Sequence, residues 1–163
     1  MPERGRTLLV AALKGAASGL VGVAAMTAAG QVEIALDGRS RSFVPARTLR
    51  ALLGRPENDA QRSVVWNHAM HWGTGALLGA LRGVWSATGI RGAEATSAHA
   101  VVRLAFDQTA ENVTGVGAPP STWPLHERIA DYALKGVYAL VTGLVADRWI
   151  APAAAVQPGA RSH

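Results

Sequence analysis

Four long apolar stretches separated by polar connections set the pattern of this chain: Thr7 to Leu36, Trp66 to Trp85, Ala93 to Val113, and about Leu125 to Trp149. In the first, the eighteen positions from Gly15 to Val32 carry no charge, enough for a helix to cross a bilayer. The second, from Trp66 to Trp85, makes about 28 Å of helix at 1.5 Å per residue, close to the thickness of the hydrocarbon layer. Tryptophan at both ends suits that length, because indole settles where hydrocarbon meets headgroup. Between them Gly75, Gly79 and Gly83 recur at four-residue spacing on one face. Gly15, Gly19 and Gly22, with Ala25 and Ala29, give the first segment a matching small face. Such faces let two helix backbones approach closely where lipid gives no hydrophobic reward for association. In a soluble bundle each of these glycines would cost about 1 kcal/mol relative to alanine, so their repetition favours the membrane.

The third segment differs. His99, Arg103, Asp107 and Glu111 interrupt Val101, Val102, Leu104, Ala105 and Phe106, each polar residue four positions from the next. That spacing lines them along one side of a helix, a side that must face neighbouring helices if the segment spans. The fourth segment carries Glu127, Asp131 and Lys135 at the same spacing in its first turns and is bracketed by Tyr132 and Trp149.

The connections are punctuated by Pro and Gly. Pro45 to Gly54 places Leu49, Leu52 and Leu53 opposite Arg47 and Arg50, which predicts a short helix lying on the membrane surface. A short stretch, Glu57 to Gln61, leads from it into the second segment. Thr88 to Gly92 reads as a tight reversal, and Gly115 to Pro124 as a turn-rich loop with Trp123 as an interfacial anchor. The chain is therefore expected to be all-α, a four-helix transmembrane bundle with a short interfacial helix in the first loop. Residues 1–150 form one domain and 151–163 a tail without fixed structure. A cleaved signal peptide is the competing reading of the first segment, since Arg4 and Arg6 precede it; its length and the charge of Lys14 argue against cleavage.

Composition sharpens this picture. Hydrophobic residues make up 49% of the chain and charged ones only 17%, which fits a small multi-pass membrane protein. There is no cysteine, so disulfides, thiolate catalysis and sulfur-ligated metals are excluded. The net charge of +5 comes from arginines flanking apolar runs, with no basic stripe of interleaved aromatics. Anionic lipid headgroups rather than nucleic acid are the implied partner. Counted by Lys and Arg, the two sides of a four-crossing topology tie, and charge selects no orientation.

Candidate chemistry is sparse. His68, His71, His126 and Glu127 can share one membrane surface and are the weak candidates for a metal; satisfied interfacial imidazoles are the commoner outcome, and no metal or cofactor is expected. His71 and His99 should lie near opposite surfaces and not meet. Arg82, His99, Arg103, Asp107 and Glu111 form the intramembrane set, read either as internal ion pairs, with Arg82 or Arg103 neutralising Asp107 or Glu111, or as a route for protons or ions. A haem held between facing helices is a further alternative. Gly73-Thr-Gly75 lies inside an apolar helix and lacks a phosphate-binding Lys-Ser/Thr pair, and no nucleophile elbow appears.

The order of a Gly-rich first helix, then His71-Trp-Gly-Thr-Gly-Ala-Leu-Leu-Gly-Ala-Leu-Arg-Gly83, then a Pro/Trp loop before His126-Glu127, then Lys135-Gly-Val-Tyr-Ala-Leu-Val-Thr-Gly143, resembles the YagU-like family of small bacterial inner-membrane proteins. The likeness runs from Lys14 to about Asp147. It implies four helices in the inner membrane, no established biochemical activity, and an association with acid tolerance. The charged third segment and the long basic first loop depart from that pattern. The combined expectation is a non-enzymatic scaffold or accessory subunit of the membrane, partnered by the lipid bilayer and by a second copy or a membrane complex. A proton- or ion-conducting module and a histidine-ligated metal or haem protein are the alternatives.

Overall fold

A computed structural model describes residues 2–38, 42–56, 58 and 62–153. Among them the chain forms five α-helices: α1 (Pro2–Asp37), α2 (Val44–Leu52), α3 (Val64–Ala87), α4 (Gly92–Val113) and α5 (Leu125–Trp149), with one short 3-10 turn at Pro120–Thr122. No strand occurs among the described residues. Most of the expected stretch 57–61 and the tail beyond residue 153 lie outside them. The start of that tail is held to the bundle: Ile150 is buried, and the Ala153 N–H donates to the Ala87 carbonyl at 2.8 Å.

The reversal between α3 and α4 depends on Gly89 and Gly92, whose φ angles of 92° and 75° suit glycine and strain other residues. It makes the two helices antiparallel. Pro45 opens α2 at a position where its missing N–H is not needed. The Asn67 side chain accepts a hydrogen bond from the Ala46 N–H at 3.2 Å, and the Arg50 guanidinium stacks 5.4 Å from the Trp66 ring. Both contacts fasten α2 against α3.

α1 and α3 meet backbone to backbone along their glycines. A Cβ on Gly79 would stand 2.5 Å from the Gly15 carbonyl oxygen and 2.6 Å from the Gly19 Cα. Gly75 faces Gly19 and Val23, and Gly83 faces Ala11 and Gly15. α1 also packs along α5, where Gly22 lies against Tyr138 and Thr142. α4 packs chiefly on α5 and has little backbone proximity to α3, although it follows α3 directly in sequence. Large polar side chains occupy the seam between them.

The distribution of side chains is inverted relative to a water-soluble bundle. Arg82 and His99 have no exposed surface, whereas Leu13, Leu77, Val101 and Leu144 are 60–64% exposed. The largest fully buried side chains are Arg82, Tyr138 and His99. Two helical stretches, Glu3–Leu36 and Leu125–Trp149, are long and apolar enough to cross a membrane. α3 and α4 have the length, at 24 and 22 residues, but fall short in hydropathy. In α3 the cause is His, Trp and Gly in place of branched aliphatics; in α4 it is Glu94, Arg103, Asp107 and Glu111.

Substituting Gly79 by Ala should lower stability by about 1–3 kcal/mol, because the new methyl meets backbone that cannot rotate away. Gly73, with nothing within 4 Å of its would-be Cβ, should respond in the opposite sense. There Gly73→Ala is expected to stabilise by up to about 1 kcal/mol. Thermal unfolding of the two variants in detergent checks the sign reversal.

Candidate functional site

The polar interior has three levels, stacked from the end where α3 turns into α4 to the end that holds α2. At the first level the Arg82 guanidinium donates to the Ser86 hydroxyl at 2.6 Å and to Asp147 Oδ2 at 2.8 Å. Ser86 in turn donates to Asp147 Oδ1 at 2.8 Å, and the Gly92 N–H reaches Asp147 Oδ2 at 3.0 Å. Arg91 donates to the carbonyls of Asp147 and Ile150, closing the C-terminal end of α5, whose last carbonyls have no helical partner. One carboxylate thus ties together α3, α4 and α5.

Of the two arginines expected to neutralise Asp107 or Glu111, Arg103 does so, 3.0 Å from Asp107, and Arg82 does not. Arg82 binds neither Asp107 nor Glu111, because Asp107 lies roughly four turns into α4, away from the α3–α4 reversal near which Arg82 sits. Asp147, in the last turns of α5, returns to the Arg82 level. A sign of this was present in the sequence: four antiparallel helices bring the end of the second and the end of the fourth to the same side.

At the second level the His99 Nε2 lies 3.1 Å from the Leu78 carbonyl, as its donor, and the Tyr138 hydroxyl donates to the Gly75 carbonyl at 2.8 Å. Both use the second lone pair of carbonyls already engaged in the α3 helix. The His99 ring lies 5.4 Å from that of Tyr138 and 6.1 Å from that of Trp85. The Arg103 guanidinium carbon sits 4.9 Å from the Tyr138 ring centre, so the ring bridges the second level to the third. Tyr138 stood outside the sequence-based candidates, since an aromatic on a span reads equally well as a lipid contact.

The third level is the floor of a cavity of about 440 Å³ at the α2 end of the bundle. Arg103 Nε donates to Asp107 Oδ2 at 3.0 Å, Lys135 Nζ approaches the same oxygen at 3.7 Å, and Lys135 also donates to Asp131. Glu111, His68, His71 and Glu127 line the walls. The His71 Nε2 and the Thr27 hydroxyl are 3.1 Å apart, which fastens α3 to α1. His126 is exposed and does not line the cavity. Among the described residues no three His, Asp or Glu side chains are placed to share a metal ion. His99 and His71 have different partners at different levels, Leu78 and Thr27 respectively.

Removing one member of the first-level pair should be costly. Asp147→Asn leaves Arg82, which has no exposed surface, without a compensating charge. A loss of about 3–5 kcal/mol is expected. The double substitution Arg82→Met with Asp147→Leu should be more stable than Asp147→Asn alone, as measured by thermal unfolding in detergent. No family model, curated protein or solved structure matches this chain.

Proposed function

We propose that this chain is a four-helix protein of the bacterial inner membrane, similar to the YagU-like family, that works without enzymatic activity as a scaffold or accessory subunit. α1, α3, α4 and α5 are its crossings, and α2 lies along the surface at the cavity end. The observation that carries this reading is the inverted distribution of side chains: ionised and hydrogen-bonding groups inside, Leu and Val outside. In water an exposed aliphatic surface of that extent would drive aggregation; in lipid it is the solvated face. α3 and α4 are compatible with the bilayer because their charged side chains turn toward α5 and toward each other. Arg103 with Asp107, and Arg82 with Asp147, bury their charges in pairs.

The acid-tolerance association of the resembled family gives the scaffold reading its physiological direction. A second reading, conduction of protons or ions, is favoured by one observation. Titratable or hydroxyl-bearing side chains follow one another from the cavity through Asp107, Tyr138 and His99 toward Ser86 and Asp147 at the opposite end.

Membrane residence is tested by alkaline carbonate extraction of cells expressing the chain. The protein should stay with the membrane pellet and leave it only with detergent; release into the aqueous fraction refutes the reading. Asp107→Asn separates the two functions. For a scaffold, the substitution should reduce accumulation of folded protein together with any acid phenotype, because Arg103 and Lys135 lose their shared counter-charge. For a conducting module, accumulation should be unchanged while pH-driven flux into proteoliposomes disappears.

A further inference from the structure

The outward face of α4 departs from those of the other three long helices. α1, α3 and α5 expose branched aliphatics, among them Leu13, Leu77 and Leu144. α4 instead exposes Glu94, Ser97, Val101, Ala105, Thr109 and Asn112, and only Val101 and Val113 are large apolar residues on its surface. Thr7, Ser18, Ser86 and Thr114 each bond a carbonyl four residues earlier, but Ser97, Thr109 and Asn112 have no side-chain partner among the described residues. Hydrocarbon offers such groups nothing, so a surface of this kind in a bilayer is one that another helix covers. The helices of the same chain meet α4 on its other side.

The spacing of this face identifies the partner. From Glu94 to Asn112 the six positions are separated by three, four, four, four and three residues, a pattern that reads the same from either end. Two such helices laid antiparallel therefore place Glu94 against Asn112, Ser97 against Thr109 and Val101 against Ala105, each pair occurring twice about a two-fold axis. The chemistry agrees with the spacing. The Asn112 amide can donate to the Glu94 carboxylate, the two hydroxyls can bond each other, and the valine meets the small alanine. A parallel pair would set Glu94 against its own copy, and the like charges would repel.

Antiparallel pairing of identical membrane proteins requires the two chains to be inserted in opposite senses. The charge distribution permits this. Lys and Arg flanking the crossings number seven at each end, and setting aside Arg82, buried within α3 and matched by Asp147, leaves six against seven. Insertion follows the excess of Lys and Arg, so a chain without an excess has no preferred sense. A self-complementary polar face and a balanced orientation signal, two independent features, thus call for one arrangement. We propose that the chain forms an antiparallel homodimer, its two copies inserted in opposite orientations and joined through the outward faces of α4. The two-fold axis lies in the plane of the membrane, level with Arg103. The proposal rests on the membrane reading above, since only in a bilayer does orientation have a meaning.

The chain contains no cysteine, so introduced cysteines report without background. In spheroplasts, a membrane-impermeant maleimide should label about half of the Thr88→Cys molecules, and a similar share of Ser121→Cys at the opposite end, because neither orientation is preferred. Chains carrying Ser97→Cys and Thr109→Cys, expressed together under different tags, should be joined by an oxidant, as should Val101→Cys with Ala105→Cys. Glu94→Cys alone should not join, since an antiparallel pair holds its two copies about 27 Å apart at 1.5 Å per residue. In a parallel pair the pattern reverses: the Glu94→Cys copies join, while positions 97 and 109 stand about 18 Å apart. Lysines added at one end, Thr88→Lys with Ile90→Lys, should commit the chain to one orientation and abolish the 97–109 cross-link. Co-expression with a copy bearing Ser121→Lys and Thr122→Lys should restore it. Labelling of all or none of the molecules, cross-linking in the parallel pattern, or no cross-link at either antiparallel pair overturns the proposal. Carbonate extraction reads membrane residence without regard to pairing: release refutes the membrane assignment, whereas retention with a single orientation refutes only the dimer.

Discussion

An arginine with no exposed surface sets the terms on which this bundle is built. Burying a guanidinium among apolar helices costs several kcal/mol unless its charge and its donors are matched. At Arg82 the charge and the two terminal nitrogens are matched by Asp147 and Ser86, and the same carboxylate accepts from the Gly92 N–H. One acid therefore answers a charge on α3, the first turn of α4 and, through its own backbone, the Arg91 clasp at the end of α5. The arrangement fixes three helices at the end where α3 turns into α4 far more narrowly than apolar packing could, since hydrophobic contact is non-directional.

The remaining architecture divides between a thin seam and a thick one. Where α1 meets α3, Gly15, Gly19, Gly75, Gly79 and Gly83 bring the backbones so close that a Cβ at any of these positions would clash. Where α3 faces α4, the space is filled instead by Arg82, His99, Arg103 and Tyr138, and the helices stand apart. α5 serves both seams, giving Gly22 of α1 a partner in Tyr138 and Thr142 while offering Lys135 and Asp147 to the polar side. Close packing on one side and charge matching on the other are the two means by which these helices are held together.

The two ends of the polar seam are not equivalent. At the end where α3 turns into α4, Arg82 Nη1 and Nη2, Ser86 and Asp147 close on one another around a short turn, and the assembly is a lock. At the α2 end a cavity lies between the helices, α2 and the loop before α5, and Arg103, Asp107, Lys135 and Asp131 line it. Gly117 contributes here: a Cβ on it would stand 2.7 Å from the Glu111 Cβ, so glycine lets the loop lie close over the end of α4. The chemistry that faces outward is consequently concentrated at one end.

Much of the fold was legible in the sequence. The glycine spacing of Gly15 and Gly19 against Gly75, Gly79 and Gly83, the short helix opened by Pro45, and the four-residue stripe from His99 to Asp107 are local periodicities, and a helix converts periodicity directly into a face. Partner choice was not legible. Whether Arg82 meets Asp107 or Asp147, whether Lys135 joins the α4 stripe, and whether Tyr138 points at lipid or at the Gly75 carbonyl depend on relative height and rotation among helices distant in sequence. Connections such as 38–63 and 114–124 leave those quantities free until the helices pack. The sequence by itself determined which segments are helical and which of their faces are small, polar or greasy, because those properties are written within a few turns. Only the tertiary structure decided which charges pair and where an unfilled polar space remains, because an ion pair needs its two members within about 4 Å, and that distance is set by the packing of several helices at once.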